Sequence, residues 1–283
     1  MNLRLIRTAT VLVPVIMALF MQQAALAGPE EDRIAFVAHF QSRFPDIPVS
    51  EFANGIYAID SDARDQWLDI EDFPPYEFAV ERGNTFWLQH FPDGTAFADC
   101  FASEARDIRP QYPRFDEQSG EVVTLEVAIN DCRIENSLPP LDYDAGEMVD
   151  LTAYLAFEAR GQRLNIQVPD DQPAAVLAYE SGKRFYYSKR GQLNFSCSDC
   201  HVTSAGLRVR ADRLSAGLGH PTHFPVYRSK FGGMISLHQR FKGCVRDVRA
   251  KPFELQSTEY RNLEYFLTYM SNGLEFNGPG ARK

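Results

Sequence analysis

Beyond its first 27 residues the sequence has no apolar run approaching the ~20 residues a bilayer-spanning helix needs. That argues against a membrane-spanning helix in the rest of the chain. The one early run, Val11 to Phe20, is too short and is broken by Pro14. Arg4 and Arg7 precede it and Ala25-Leu26-Ala27 follows. This order of basic, apolar and small-residue segments marks a secretory signal peptide, residues 1–27, with a mature chain expected to begin near Gly28. The export route points to a bacterial periplasm. The remaining 256 residues suffice for two small domains.

Positive charge is also scarce: 29 Lys/Arg stand against 38 Asp/Glu, for a net charge of −9. Nucleic acid is therefore a poor partner for this exported, acidic chain. The scarcity is uneven. Fourteen Lys/Arg fall between Lys183 and Lys251, where the only acids are Asp199, Asp212 and Asp247. That stretch carries +11, and the rest of the mature chain −22. Such a segment suits an anionic ligand or an acidic partner, unless its charges pair with the acidic remainder.

Cysteine is the third scarcity, with five in all: Cys100, Cys132, Cys197, Cys200 and Cys244. No second closely spaced pair exists to complete a zinc site, and no βαβ pattern accompanies a redox pair. What is present is Cys197-Ser198-Asp199-Cys200-His201, which reads as an attachment site for a c-type haem. Two thiols add across the haem vinyl groups, two intervening residues give them their reach, and the adjacent His is placed as proximal iron ligand. In an oxidising compartment two of the other three cysteines should pair, leaving one thiol over.

The chain resembles itself. Glu81 to Trp87 matches Glu180 to Tyr186, and Asp150 to Gly161 matches Asn262 to Gly273. The later segments have helical spacing, with Leu151, Tyr154 and Leu155 on one face, and Leu263, Phe266, Leu267 and Met270 on the other copy's. Each ends at a glycine. Asp144 with Glu147, and Thr258, are expected caps. Cys132 precedes Gly161 by 29 residues and Cys244 precedes Gly273 by 29. The expectation is a mainly α protein of two cytochrome c-like domains, residues 76–165 and 166–283, after an N-terminal extension, residues 28–75. Residues 28–44 have helical spacing, and 45–75 read as loop-rich. In the first copy the haem motif is degenerate: Cys100-Phe-Ala-Ser103-Glu104 lacks the second thiol and the histidine. One haem c per chain is expected, with Cys100 and Cys132 free to form a disulfide.

A sixth ligand is open among Met234, Met270, His220, His223, His238 and Cys244. His220 and His223 lie in a Pro-bounded loop compatible with the surface. Phe231 to Cys244 reads as a helix with Met234, Leu237, Phe241 and Cys244 on one stripe.

Cys197-x-x-Cys200-His201, Arg240-Phe-Lys-Gly-Cys244 and Leu263 to Gly273 together resemble the SoxA family, catalytic cytochromes of the thiosulfate-oxidising SoxAX complex. The resemblance spans most of the mature chain and is strongest from 180 to 275. It implies the one-haem type, with Cys100 and Cys132 bridging the emptied domain. It implies Cys244 as distal haem ligand, often as a persulfide, and Arg240 as the substrate-binding residue beside it. It implies an L-cysteine S-thiosulfotransferase that joins thiosulfate to a cysteine of the carrier SoxYZ, with the cytochrome SoxX as partner. Arg246 and Arg249 are weaker candidates for the same rim. Two other classes remain: a plain electron-carrier cytochrome with a Met or His sixth ligand, and a haem peroxidase with an exchangeable one.

Overall fold

A computed structural model describes residues 28–209 and 211–282; the expected signal peptide and Arg210 lie outside the described residues. Helices dominate. Helix α1 (Pro29–Arg43) opens with Pro29 in its first turn and with Glu30, Glu31 and Asp32 at the positive end of its dipole. It buries Phe36 and Phe40. The next stretch is more ordered than its loop-rich sequence suggests. A 3₁₀ segment (Val49–Ala58) leads to α2 (Ser61–Glu71), where the Asp60 carboxylate caps the Ala63 amide at 3.1 Å. Acidic residues mask the sequence pattern here, because no residue of α2 is buried and the helix carries no apolar stripe.

Then follow α3 (Glu77–Trp87), the short α4 (Phe97–Cys100) and α5 (Ala105–Ile108), the hairpin β1 (Arg114–Asp116) and β2 (Glu121–Val123), α6 (Leu125–Glu135) and α7 (Glu147–Glu158). The second half runs α8 (Pro173–Tyr187), a π-helical turn Asp199–Thr203, β3 (Arg208–Val209) with β4 (Asp212–Arg213), a 3₁₀ turn His220–His223, β5 (Val226–Arg228), β6 (Gly233–Ile235), α9 (Leu237–Asp247), α10 (Thr258–Met270) and β7 (Gly280–Arg282). In the small sheet β5 lies centrally, antiparallel to β6 and parallel to β7.

The two halves use the same parts. β5, β6 and α9 each start 112 residues after β1, β2 and α6. Thr124 and Ser236 occupy the same capping position, accepting from the Val127 and Gln239 amides at 3.3 and 3.2 Å. α3 crosses α7 at Gly83, and α8 crosses α10 at Gly182. A Cβ at Gly83 would stand 2.1 Å from the Asp150 carbonyl oxygen, and one at Gly182 would stand 2.0 Å from that of Asn262. Only glycine allows either approach. Each half has its own core. One gathers Trp87, Phe97, Leu125, Ile129 and Leu155; the other gathers Tyr179, Tyr186, Phe241, Leu263 and Phe266, and takes in Phe36, Phe40 and Phe52 from the N-terminal segment. Cys100 and Cys132 are joined by a disulfide inside the first half.

Local details differ from the sequence pattern. Met234 lies on strand β6, and the helix begins only at Leu237 after the Ser236–Gln239 capping box. A three-residue strand is too short to show alternation, so the apolar spacing reads as one long helix. α7 starts at Gly146 without a side-chain cap, so Asp144 and Glu147 form no capping box. The cap position of α10 is Ser257 rather than Thr258.

Candidate functional site

The site grows from the turn that holds Cys197 to His201. Ser196 and Asp199 lock it. Ser196 Oγ accepts from the Asp199 amide at 3.1 Å, and the Asp199 carboxylate accepts from the Ser196 amide at 2.8 Å. This reciprocal box fixes the first turn. The turn is wound wide, with the Ser204 amide reaching back to the Asp199 carbonyl at 3.1 Å. Ser-x-x-Asp across positions 196–199 was a legible signal that sequence reasoning passed over.

His201 is held by its rim-side nitrogen. Nδ1 lies 3.0 Å from the Ser215 carbonyl oxygen, which requires the proton on Nδ1 and leaves Nε2 as the free acceptor. Burial pushes its pKa down to about 4, the Ser215 carbonyl opposes the fall, and the Arg240 charge adds to it. The imidazole is thus neutral, the form that binds a metal. Its own carbonyl accepts from the Gly217 amide at 2.8 Å. Cys197 and Cys200 are free, half-buried thiols. Burial raises both, Cys197 to about 12; the Arg190 charge opposes the rise at Cys197, Cys244 adds to it at both, and Asp199 adds to it at Cys200.

The donor set fits a covalent haem c: two unpaired thiols in one turn, and an oriented neutral imidazole with its second nitrogen unspent. Among the described residues no three His, Cys, Asp or Glu converge as a metal cage, so the Cys-x-x-Cys pair has no zinc partners there.

The geometry sorts the sixth-ligand candidates. His238 is enclosed on both sides: Nδ1 accepts from the Gln256 amide at 3.2 Å, and Nε2, buried without a hydrogen bond, stands 3.0 Å from the Glu264 carboxylate. His223 is buried rather than superficial, stacked on Phe224 beneath the 3₁₀ segment. His220 is half-buried, with Nε2 2.9 Å from Ser215 Oγ and its ring centroid 4.4 Å from that of His201. That distance leaves no room for a porphyrin between the two rings. Met270 is sealed in α10. Two candidates are left: Met234, half-buried on β6, and Cys244, a free, half-buried thiol on α9 with Arg240 one helical turn before it. Electrostatic coupling links Cys244 to Cys197, Cys200 and Arg228.

The basic stretch is largely uncompensated. Among its described residues only Lys183, Lys189, Arg208 and Arg213 have a carboxylate within ion-pair distance, on Asp32, Glu180, Asp199 and Asp60. Arg240, Lys242, Arg246 and Arg249 have none. The acidic half does not neutralise the neighbourhood of Cys244.

Known proteins place this arrangement. The chain is 54% identical over 257 residues to the L-cysteine S-thiosulfotransferase subunit SoxA of Allochromatium vinosum, covering 91% of each. The chain belongs to the SoxA family. It is 48% identical to the SoxA of Chlorobaculum tepidum, over 90% of this chain and 88% of that one. Against the SoxA of Paracoccus pantotrophus it is 32% identical over 99% of each. The crystal structure of SoxXA from P. pantotrophus contains a chain of similar fold, with a TM-score of 0.70 and 33% identity, covering 77% of this chain and 84% of that chain. A family model described as SoxA/TsdA, cytochrome c domain, matches residues 82–164. That stretch lies in the half of the chain without a Cys-x-x-Cys-His motif. Membership in a cytochrome family implies covalently bound haem c. Among the described residues no helix is long and apolar enough to cross a membrane.

Proposed function

We propose that this chain is the catalytic cytochrome subunit of a periplasmic thiosulfate-oxidising complex, an L-cysteine S-thiosulfotransferase. It joins thiosulfate to a cysteine of the carrier protein SoxYZ and works with the cytochrome SoxX. In the net step the carrier thiol and the thiosulfate dianion form an S–S bond, giving a cysteine S-thiosulfonate, one proton and two electrons. One haem c, held by Cys197 and Cys200 with His201 and Cys244 as ligands, supplies the redox centre that takes electrons away when bound. Arg240 holds the sulfonate end of thiosulfate, and Cys244 presents its sulfur beside it. The names of the relatives and the SoxXA match support the activity and the SoxX partner. The observation that carries the reading is local. A free thiol stands one turn from an unpaired guanidinium, in an uncompensated cationic neighbourhood, coupled to the haem-motif thiols.

The organisation follows the same reading. Residues 28–75 form an extension, 76–165 a cytochrome c-like domain that has lost its haem, and 166–283 the haem-binding domain, after export through the signal peptide. The shared 112-residue spacing and the cytochrome c match at 82–164 support a repeat. The test is thiosulfate-dependent turnover of the chain with its cytochrome partner, with and without the carrier protein. Carrier-dependent turnover that Cys244→Ser abolishes is expected, with haem still covalently attached at one per chain. Full turnover in Cys244→Ser would remove the cysteine from the chemistry.

A further inference from the structure

Ser215 stands between two imidazoles. Its carbonyl oxygen lies 3.0 Å from His201 Nδ1, and its hydroxyl oxygen lies 3.5 Å from the same nitrogen. The hydroxyl oxygen also lies 2.9 Å from His220 Nε2. The two rings are nearly perpendicular, at 83°, with centroids 4.4 Å apart. The donors settle the direction of each bond. The His201 Nδ1–H points at Ser215, because Nε2 is kept for a metal. The Ser215 hydroxyl has one proton to give, and His220 Nε2 is the nitrogen in reach that can accept it. The hydroxyl therefore donates to His220 while a lone pair faces the His201 N–H, as a second and longer arm beside the carbonyl.

The backbone holds this serine from both sides. Just before it, the Leu214 amide donates to the Leu207 carbonyl and the Gly206 amide to the Leu214 carbonyl, both at 2.8 Å. Just after it, the Gly217 amide donates to the His201 carbonyl at 2.8 Å, which ties the serine's own loop to the Cys197–His201 turn. A Cβ at Gly217 would stand 2.3 Å from Tyr186 Oη and 3.4 Å from the His201 carbonyl oxygen, so glycine is what lets the loop come so close. His220 has a clamp of its own. Gly219 takes a left-handed turn, φ +82°, and its amide donates to Ser271 Oγ at 3.1 Å. Pro221 stiffens the 3₁₀ turn that follows, and Thr222 Oγ1 fastens that turn to the Ala53 carbonyl at 2.7 Å. A bridge made by a single hydroxyl fails if either end drifts by a few tenths of an ångström, and these contacts fix both ends.

We propose that Ser215 and His220 are positioning residues for the proximal histidine: the Ser215 hydroxyl bridges the two imidazoles, holds the plane of the His201 ring and sets the midpoint potential of the haem. This rests on the reading of His201 as the proximal ligand. A hydrogen bond from the far nitrogen of a ligating imidazole makes that imidazole a stronger electron donor. Ser215 offers two oxygens to one N–H. By taking the hydroxyl proton, His220 leaves more negative charge on the oxygen that faces His201, so the acceptor is strengthened from behind. A more basic imidazole favours ferric over ferrous iron, and the pair thus holds the potential low. The perpendicular His220 ring also limits rotation of His201 about its Cβ–Cγ bond.

The experiment uses the full chain in complex with its cytochrome partner, haem attached. The variants are Ser215→Ala, Ser215→Thr, His220→Phe and the double variant of Ser215→Ala with His220→Phe. A redox titration followed at the ferric electron paramagnetic resonance signal of this chain's haem gives the midpoint potential. Ser215→Ala and His220→Phe are each expected to shift the balance toward ferrous iron about tenfold, a rise of about 59 mV for one electron. Ser215→Thr keeps the hydroxyl and should stay at the wild-type potential. Because one hydroxyl carries both effects, the double variant should rise no further than either single variant. Unmoved potentials in both single variants overturn the proposal, even where the melting temperature falls, and so do shifts that add. Should His220→Phe fail to retain haem, the contrast between Ser215→Ala and Ser215→Thr decides alone. His201→Ala, run alongside, keeps the proposal apart from the reading beneath it. If that variant loses the wild-type ferric signal while the other variants keep the wild-type potential, only the bridge fails. If it retains the signal, His201 is no ligand and both fall.

Discussion

Arg240 and Cys244 share one face of α9, and that spacing sets what a substitution can do. The guanidinium makes no ion pair or hydrogen bond within the described protein, so removing it should spare the fold. It should not spare a dianion beside the thiol. Arg240→Ala is expected to cost roughly 2–4 kcal/mol of transition-state stabilisation, about thirty- to thousandfold in turnover, with a haem spectrum nearly unchanged. Arg240→Lys should fall between, because an ammonium keeps the charge without the two-pronged grip. Steady-state kinetics with thiosulfate check this, and wild-type turnover in the Ala variant would exclude Arg240. At this scale the sequence was informative where a residue acts through its neighbours in the chain. Cys197, Cys200, His201, Arg240 and Cys244 are candidates that short motifs single out. Ser215, whose carbonyl orients His201 from 14 residues away, could not, since any residue can offer a carbonyl.

The elements repeat the lesson one level up. Long amphipathic helices such as α10 were legible from their 3.6-residue spacing, which their buried faces require. β6 was not, and neither was α2, whose stability comes from its cap and neighbours rather than from an apolar stripe. The crossing of α8 and α10 at Gly182 is the point where the second half is most exposed to a single methyl group. Its Cβ would meet Asn262 backbone at 2.0 Å and the Phe266 Cβ at 2.9 Å. Gly182→Ala should therefore destabilise by about 1–3 kcal/mol. Because α8 and α10 frame the core around the haem motif, that variant should also show reduced haem incorporation. Gly83→Ala makes the same collision against Asp150 and Tyr154 in the other half. It should destabilise comparably while leaving haem content per folded chain unchanged. Thermal melts and haem-to-protein absorbance ratios on the two variants read this out, and equal haem loss in both would mean that the halves do not fold as separate cores.

Across the whole molecule the halves are tied by a buried polar group that no local pattern announces. His238, at the start of α9, stands 3.0 Å from the Glu264 carboxylate of α10, and Glu126 of α6 lies within electrostatic reach of both and of Arg109. Gln256 links in through its amide to His238 and through its side chain to Thr124 at 2.7 Å. Positions 126 and 238 are equivalent under the 112-residue spacing, so corresponding first turns of α6 and α9 meet at one carboxylate. Burial raises the Glu126 pKa, and the charge of Glu264 raises it further, against His238 and Arg109. The folded chain therefore keeps a proton there at a pH where the unfolded chain has released it. Stability from this group is complete below the usual carboxylate range and is lost as pH rises through the elevated value. Glu126→Gln, a side chain that cannot ionise, should melt higher than wild type at pH 8 by about 2–4 °C, equivalent to ~1 kcal/mol. The advantage should vanish as the pH is brought to about 4. Melting curves across that range test it; a variant less stable at every pH would mean that the ionised carboxylate is needed.

The Cys100–Cys132 bond also bears on how the molecule is made. Both cysteines precede the haem motif in the chain, so in an oxidising compartment they can close before the later thiols arrive. Once closed, they are withdrawn from thiol exchange. An oxidant that then meets the chain finds only the three free thiols, Cys197, Cys200 and Cys244. The bond thus takes two of the five thiols out of competition before a partner for the others is chosen.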